Sequence, residues 1–167
     1  MSTGRDETPP KGERRRRQDG VPPASSEVIR VRMATTKRRD TKPELLLRSA
    51  LHRKGLRFFV DRTINGGRRR VDIVFQTERV AIYVDGCFWH SCPKHGSVPK
   101  RNTRWWLDKL AANRKRDQNT DATLRADGWT VLRFWEHDDP DEAAEQIYRV
   151  VTEIRQRSVR RTRRAAE

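Results

Sequence analysis

The sequence predicts an α/β fold with a mixed central sheet flanked by helices. Three observations predict it. Four short apolar runs have strand length. Segments of helical period lie before, between and after them. The order α-β-β-β-α-β-α then implies antiparallel strands first and a crossover helix before the last strand. Thr41-Lys42-Pro43-Glu44 reads as a capping box, with Thr41 as N-cap and Glu44 at N3. Leu45, Leu46, Leu47, Ala50 and Leu51 follow at helical spacing, and Gly55 stops the helix. Leu56-Arg57-Phe58-Phe59-Val60 reads as a strand. Asn65-Gly66-Gly67 is a turn, followed by Arg68-Arg69-Arg70. Val71-Asp72-Ile73-Val74-Phe75 and Val80-Ala81-Ile82-Tyr83-Val84 are the second and third strands. Thr103 can cap a long helix running to about Ala126, ended by Gly128. Trp129-Thr130-Val131-Leu132-Arg133-Phe134-Trp135 is the fourth strand. Pro140 opens a last helix through Ile147, Val150, Val151 and Ile154.

This pattern occupies residues 28–156 as one domain. Residues 1–27 are polar and rich in Pro, Gly and Arg, and are expected to be disordered. Residues 157–167 form a basic tail that is not expected to pack. The chain has 167 residues, with 38 Lys+Arg against 23 Asp+Glu, a net charge of +15. A pI near 11.0 fits a nucleic-acid binder, although a basic tail on a neutral domain gives the same total. Two Cys five residues apart make no secreted disulfide framework, and metal in a reducing compartment is the better reading. No apolar run is long enough to span a membrane, and no signal-peptide pattern opens the chain. A cytoplasmic protein acting on the nucleoid is expected.

The segment Tyr83-Val84-Asp85-Gly86-Cys87-Phe88-Trp89-His90-Ser91-Cys92-Pro93-Lys94-His95 concentrates the chemistry. Asp72 interrupts an apolar strand, and Asp85 ends the next one. If the strands pair as a hairpin, both carboxylates approach one sheet edge. They then repel unless a cation lies between them. Magnesium, held by one or two carboxylates, suits phosphodiester cleavage. The alternative is a structural ion pair with a nearby arginine. His90 is the candidate general base, since a neutral imidazole (reference pKa about 6.5) can accept a proton from water. Cys87, Cys92 and His95 suit zinc. Among the four His of the chain, His137 directly follows the last strand and is the fourth candidate. A closed Cys2His2 site would leave His90 free. Glu44 reads first as a cap, and secondarily as a contact to a hydrated metal. Phe88-Trp89 and Trp105-Trp106 are adjacent aromatics that cannot all face one core. Exposed members can wedge base steps apart, at an unstacking cost of about a few kcal/mol that stacking offsets. A mismatched step costs less to open.

Together these residues resemble the very-short-patch repair (Vsr) endonucleases. The matching stretches are Met33 through Glu44, Arg70-Val71-Asp72-Ile73-Val74, Val84-Asp85-Gly86-Cys87-Phe88-Trp89-His90, Asn113 with Arg116-Asp117, Gly128-Trp129-Thr130-Val131, and Trp135-Glu136. The resemblance implies a restriction-endonuclease-like fold with a structural zinc, and a magnesium-dependent nickase. Such enzymes recognise a T:G mismatch left by deamination of 5-methylcytosine and cut 5′ to the T. A monomer on double-stranded DNA is implied, linked to a cytosine-5 DNA methyltransferase and a repair polymerase. By position, Asp72 is the central metal ligand, the Val84 carbonyl a second, His90 the water-activating base and Glu44 the first-helix glutamate. Phe88, Trp89 and Trp106 fall on the intercalating aromatics, and Met33 on a wedge from the other groove.

The chain departs from that family in two places and from the fold's common catalytic pattern in a third. Val84-Asp85 stands where the best-studied type has Thr-His, so Asp85 is expected to bind metal directly. Cys87 stands where the fold's common pattern has a lysine, which puts more weight on His90. His137 replaces the last zinc thiol. Two other readings remain: a restriction or defence endonuclease on the same fold, and a zinc-stabilised DNA-binding protein without catalysis.

Overall fold

The structure, a computed structural model, describes residues 31, 39–64, 66–67 and 69–164. Met33 and the expected disordered segment 1–27 lie outside the described residues. Among the described residues from 39 onward, the elements follow in the predicted order: α1 (Lys42–Arg53), β1 (Phe59–Thr63), β2 (Arg70–Phe75), β3 (Val80–Asp85), α2 (Thr103–Ala126), β4 (Thr130–Trp135) and α3 (Pro140–Arg164). The strands form one sheet in the order β1-β2-β3-β4. β1, β2 and β3 pair antiparallel, and β4 joins β3 in parallel after the α2 crossover.

Alternation along β3 separates two apolar layers. Val80 and Ile82 join Ile73, Phe75 and Phe134 under α1 and α3, where Leu47, Leu51, Ala144, Ile147 and Val151 complete the larger core. Ala81 and Tyr83 face the other way, meeting Val71, Val74, Val131, Trp129 and Leu124 beneath α2. The sheet is therefore covered on both sides, which suits the nearly continuous apolar runs of β2 and β3.

Local differences from the expected elements have clear causes. Glu44 reaches back to the Asp40 N–H (3.0 Å) and accepts the Thr41 hydroxyl (2.7 Å). The Thr41 hydroxyl thus binds the glutamate rather than capping a backbone N–H, and the reciprocal box is not formed. Gly55 closes α1 with φ +75° as expected, its N–H bonding to His52 O and that of Leu56 to Leu51 O. The first strand starts at Phe59, because Leu56 is spent plugging the core at 1% exposure. Asn102, not Thr103, is the N-cap of α2. The Thr103 hydroxyl instead donates to the Pro99 and Lys100 carbonyls. α3 continues to Arg164, past the expected end of the domain at residue 156, although residues 157–164 are exposed and add nothing to the core.

Ile147 is fully buried where α3 meets the sheet. Ile147→Ala is expected to cost about 2–5 kcal/mol. It should lower the urea midpoint without changing the slope of the unfolding curve.

Candidate functional site

The sheet opens at Asp72. The β1–β2 register runs through Val60↔Ile73 and Arg62↔Val71 but skips the position between them, where Asp61 has φ +51°. Val71 and Val74, three residues apart, lie in the same core layer, so strict alternation breaks between them. On the other side, the β2–β3 register ends at Ile73↔Ile82. The next available donor, the Val84 N–H, is taken by Asp72 Oδ2 at 2.8 Å. The carboxylate thus stands in a fork between strands. Among the described residues it makes no ion pair. Burial pushes its pKa up to about 6, helped by the charges of Glu44 and Asp85 and opposed by the Val84 hydrogen bond.

The neighbouring acids, by contrast, are compensated. Glu44 is 4% exposed and also receives Arg48 Nη2 at 2.9 Å. Both oxygens of Asp85 accept from Arg133 Nη1, at 2.7 and 2.8 Å. Arg133 also binds Asp121 and lies over the Tyr83 ring, 4.4 Å from its centroid. Burial lowers the Arg133 pKa, but the two aspartates outweigh this and hold it above the ordinary arginine value. Asp85 was expected to share a cation with Asp72. The structure instead gives it an arginine partner, the ion-pair alternative.

His90 is held from α2. Its Nδ1 lies 2.7 Å from Asp117 Oδ2 and 3.6 Å from Asp85 Oδ1. An ionised carboxylate only accepts, so Nδ1 carries the hydrogen and Nε2 of the neutral ring keeps its lone pair. Asn113 fixes the preceding residue by donating to the Trp89 carbonyl at 3.0 Å. Sequence reasoning gave no role to Asp117, Arg133 or Asp121. A signal was present, however. Leu110, Asn113, Asp117, Asp121 and Leu124 fall on one face of α2, and polar residues in the middle of a sheet-facing stripe are costly without partners.

His90 stays clear of the sulfur ligands. Donor atoms of Cys87, Cys92, His95 and His137 all lie within 4.8 Å of one another. His137 Nδ1 is 3.1 Å from Cys87 Sγ and 3.9 Å from Cys92 Sγ, and His95 Nδ1 is 3.9 Å from Cys87 Sγ. Tetrahedral zinc, with bonds of about 2.0 Å to N and 2.3 Å to S, needs N···S separations of about 3.5 Å. These four side chains can therefore hold one metal ion. The His137 Nε2 lies 3.6 Å from Asp138 Oδ1, a carboxylate placed to orient the ring. The Cys87 N–H donates to Glu136 Oε1 at 2.7 Å, fixing the loop to the end of β4 a second time.

Beside this loop the aromatics form one cluster. Phe88 meets Trp89 at 5.0 Å and Trp106 at 5.2 Å between centroids, and Trp105 meets Trp106 at 4.8 Å. All four are half-buried. Arg39, Arg62 and Arg70 line a cavity of about 470 Å³ with Asp61. Arg70 opens β2 two residues before Asp72.

The fold and site define a three-layer α/β/α protein with an uncompensated carboxylate, a fixed histidine and a thiol–imidazole group able to hold a metal ion at one end of its sheet. A family described as DNA mismatch endonuclease Vsr matches residues 26–95. The type II nicking enzyme V.NaeI of Lentzea aerocolonigenes is 42% identical over 132 residues, spanning 77% of this chain and 80% of that one. V.XorIIP of Xanthomonas oryzae pv. oryzae, also a type II nicking enzyme, is 40% identical over 114 residues, 67% of this chain and 82% of its own. The DNA mismatch endonuclease Vsr of Escherichia coli is 39% identical over 100 residues, 59% of this chain and 62% of its own. The chain belongs to the Vsr DNA mismatch endonuclease family. Among the described residues, no helix is long and apolar enough to cross a membrane.

Two predictions follow from the charges. With a folded pKa of about 6 against 3.8, Asp72 binds its proton more tightly in the folded chain. Its contribution to stability therefore falls as pH rises through that window. In magnesium-free buffer, Asp72→Asn should stabilise the protein by up to about 3 kcal/mol at pH 8 and by little at pH 4, read from urea midpoints. Arg133→Met leaves Asp85 and Asp121 without their cation and should cost about 2–3 kcal/mol. Adding Asp85→Asn should recover part of that loss, and a single-variant cost under about 0.5 kcal/mol would contradict the pairing.

Proposed function

We propose that this chain nicks one strand of double-stranded DNA at T:G mismatches, 5′ to the mismatched T, in a magnesium-dependent reaction. The observation that carries the reading is Asp72: a half-buried carboxylate in a strand fork, with no ion-pair partner among the described residues, in the field of Asp85, which His90 Nδ1 approaches to 3.6 Å. A divalent ion suits that carboxylate, because it would offset the negative potential that raises its pKa. Asp72 and the Val84 carbonyl are assigned as its protein ligands, with Asp85 and Glu44 supporting the site at its edge. The bound ion would polarise the scissile phosphate and stabilise charge on the departing 3′ oxygen. Zinc is assigned to Cys87, Cys92, His95 and His137, where it would be structural.

The chain's own residues do the rest. His90 Nε2 takes a proton from the attacking water while Asp117 holds the ring and steadies its positive charge. The water oxygen forms a bond to phosphorus and the bond to the 3′ oxygen breaks; the 3′ oxygen takes a proton from solvent water, leaving a 5′ phosphate and a 3′ hydroxyl, and the imidazolium returns its proton to solvent. Phe88, Trp89 and Trp106, which already pack edge to face, offer apolar faces to an opened base step. Met33 is assigned the opposite groove. A mismatched step opens at lower cost, which gives the cluster its preference. Arg39, Arg62 and Arg70 position the backbone. T:G damage of this kind arises where a cytosine-5 methyltransferase acts, and a repair polymerase must fill the nick.

Nicking of labelled T:G, C:G and A:T duplexes with magnesium tests the proposal. Cleavage confined to the T strand of T:G is expected. Equal cutting of all three would remove the mismatch claim, and no cutting of any would remove the nuclease. His90→Ala should lower the single-turnover rate by about 10²–10⁴-fold while leaving binding of the T:G duplex intact.

A further inference from the structure

The last ten described residues of α3 leave the domain. Core contacts end with Val151 and the partly buried Ile154, yet the helix continues to Arg164. Residues 155–164 are all exposed and include six arginines and no acid. Arg155 is tied back to Glu78 in the β2–β3 turn at 2.6 Å. Arg157, Arg160, Arg161 and Arg164 recur at i, i+3, i+4 and i+7, one stripe on one face. Arg157 pairs with Glu153. Among the described residues, Arg160, Arg161 and Arg164 have no ion-pair partner.

Helix stability alone does not account for this stripe. Cations near a helix C-terminus gain about 0.3–1 kcal/mol from its dipole. Against that, Arg157/Arg161 and Arg160/Arg164 are like charges at i,i+4, which repel by about 0.2–0.5 kcal/mol each. No packing rewards the extension. A polyanion would reward it: four guanidinium groups spread over about 10 Å face a duplex that presents one negative charge per about 1.7 Å.

Position makes the contact separate from the nicking site. α3 starts just after His137, at the end of the sheet that holds Asp85 and Trp135. It runs back along the sheet to Glu78 at the other end. At about 1.5 Å per residue, the stripe lies about 25–36 Å along α3 from that start. We propose that this arm is a second DNA-backbone site, which grips phosphates of the same duplex about 7–10 base pairs from the nick, at about 3.4 Å per pair. The inference rests on the DNA reading above only for its choice of polyanion.

The test uses the full chain with Arg157, Arg160, Arg161 and Arg164 all changed to Gln, and a parallel variant with all four changed to Lys. Binding is measured by fluorescence anisotropy at several salt concentrations, on 12- and 30-base-pair duplexes centred on T:G, and helicity by circular dichroism. On the long duplex, the Gln variant should bind about 10–100-fold more weakly at 0.1 M salt. Its slope of log affinity against log salt should be shallower by about 3.6, near 0.9 for each of the four lost contacts. The short duplex, ending about 20 Å from its centre, should show little change, and the Lys variant should keep most of the wild-type slope. Single-turnover nicking at saturating DNA should be unaltered. Unchanged affinity and slope on the long duplex would overturn the inference, whether or not helicity falls. So would an equal loss on both lengths. Loss of T:G nicking in the wild-type chain would instead overturn the proposed function and leave the salt slopes standing.

Discussion

The Val84 amide decides where chemistry can sit in this protein. In an unbroken sheet its hydrogen would extend the β2–β3 ladder. Here it is given to Asp72 Oδ2, and the strands part around a carboxylate. A buried backbone N–H must find an acceptor, so the same bond that opens the sheet also fixes the aspartate. Asp72 is held by a neutral dipole rather than by a full positive charge. It therefore keeps a raised pKa and an unmet need for a cation. Glu44 and Asp85, each with its own arginine, supply the surrounding negative potential.

The histidine depends on a second set of constraints. Loop 86–95 would be a mobile surface segment without anchors. It has four: the cysteine–histidine group shared with His137, the Glu136 carboxylate on the Cys87 N–H, the Asn113 amide on the Trp89 carbonyl, and the Asp117 carboxylate on His90. Two of these come from α2 and two from the end of β4. The crossover that makes β4 parallel to β3 therefore also brings the loop's supports to the same sheet end as Asp72. The aromatic cluster benefits from the same anchoring, because Trp89 sits between Phe88, fixed next to it, and Trp106 at the start of α2.

Much of this was legible in the sequence because it is local. Period and the glycines at 55 and 128 place the helices and strands in their order. The Cys-x4-Cys-x2-His spacing located three members of the metal group, and the small number of histidines pointed to His137. Other features were illegible because they are pairings at long range. Asp85 and Arg133 are 48 residues apart, and nothing in either strand announces that the second acid is matched by a guanidinium rather than shared with Asp72. The first strand starts three residues later than its apolar run, because Leu56 and Phe58 are apolar for packing, not for pairing. The arginine-rich end of α3 is exposed, yet it is helical through Arg164, which a reading that equates order with burial misses.

The central claim is that His90 is kept out of the cysteine–histidine group and, with Nδ1 on Asp117, keeps a bare Nε2. Long-range ¹H–¹⁵N correlation spectra of the four histidines in the zinc-loaded protein at pH 8 test it most directly. The account predicts that His90 shows the Nδ1–H tautomer with an unprotonated, metal-free Nε2, and that His95 and His137 carry metal-shifted nitrogens. A His90 resonance with the proton on Nε2, or with a metal-shifted nitrogen, would contradict it.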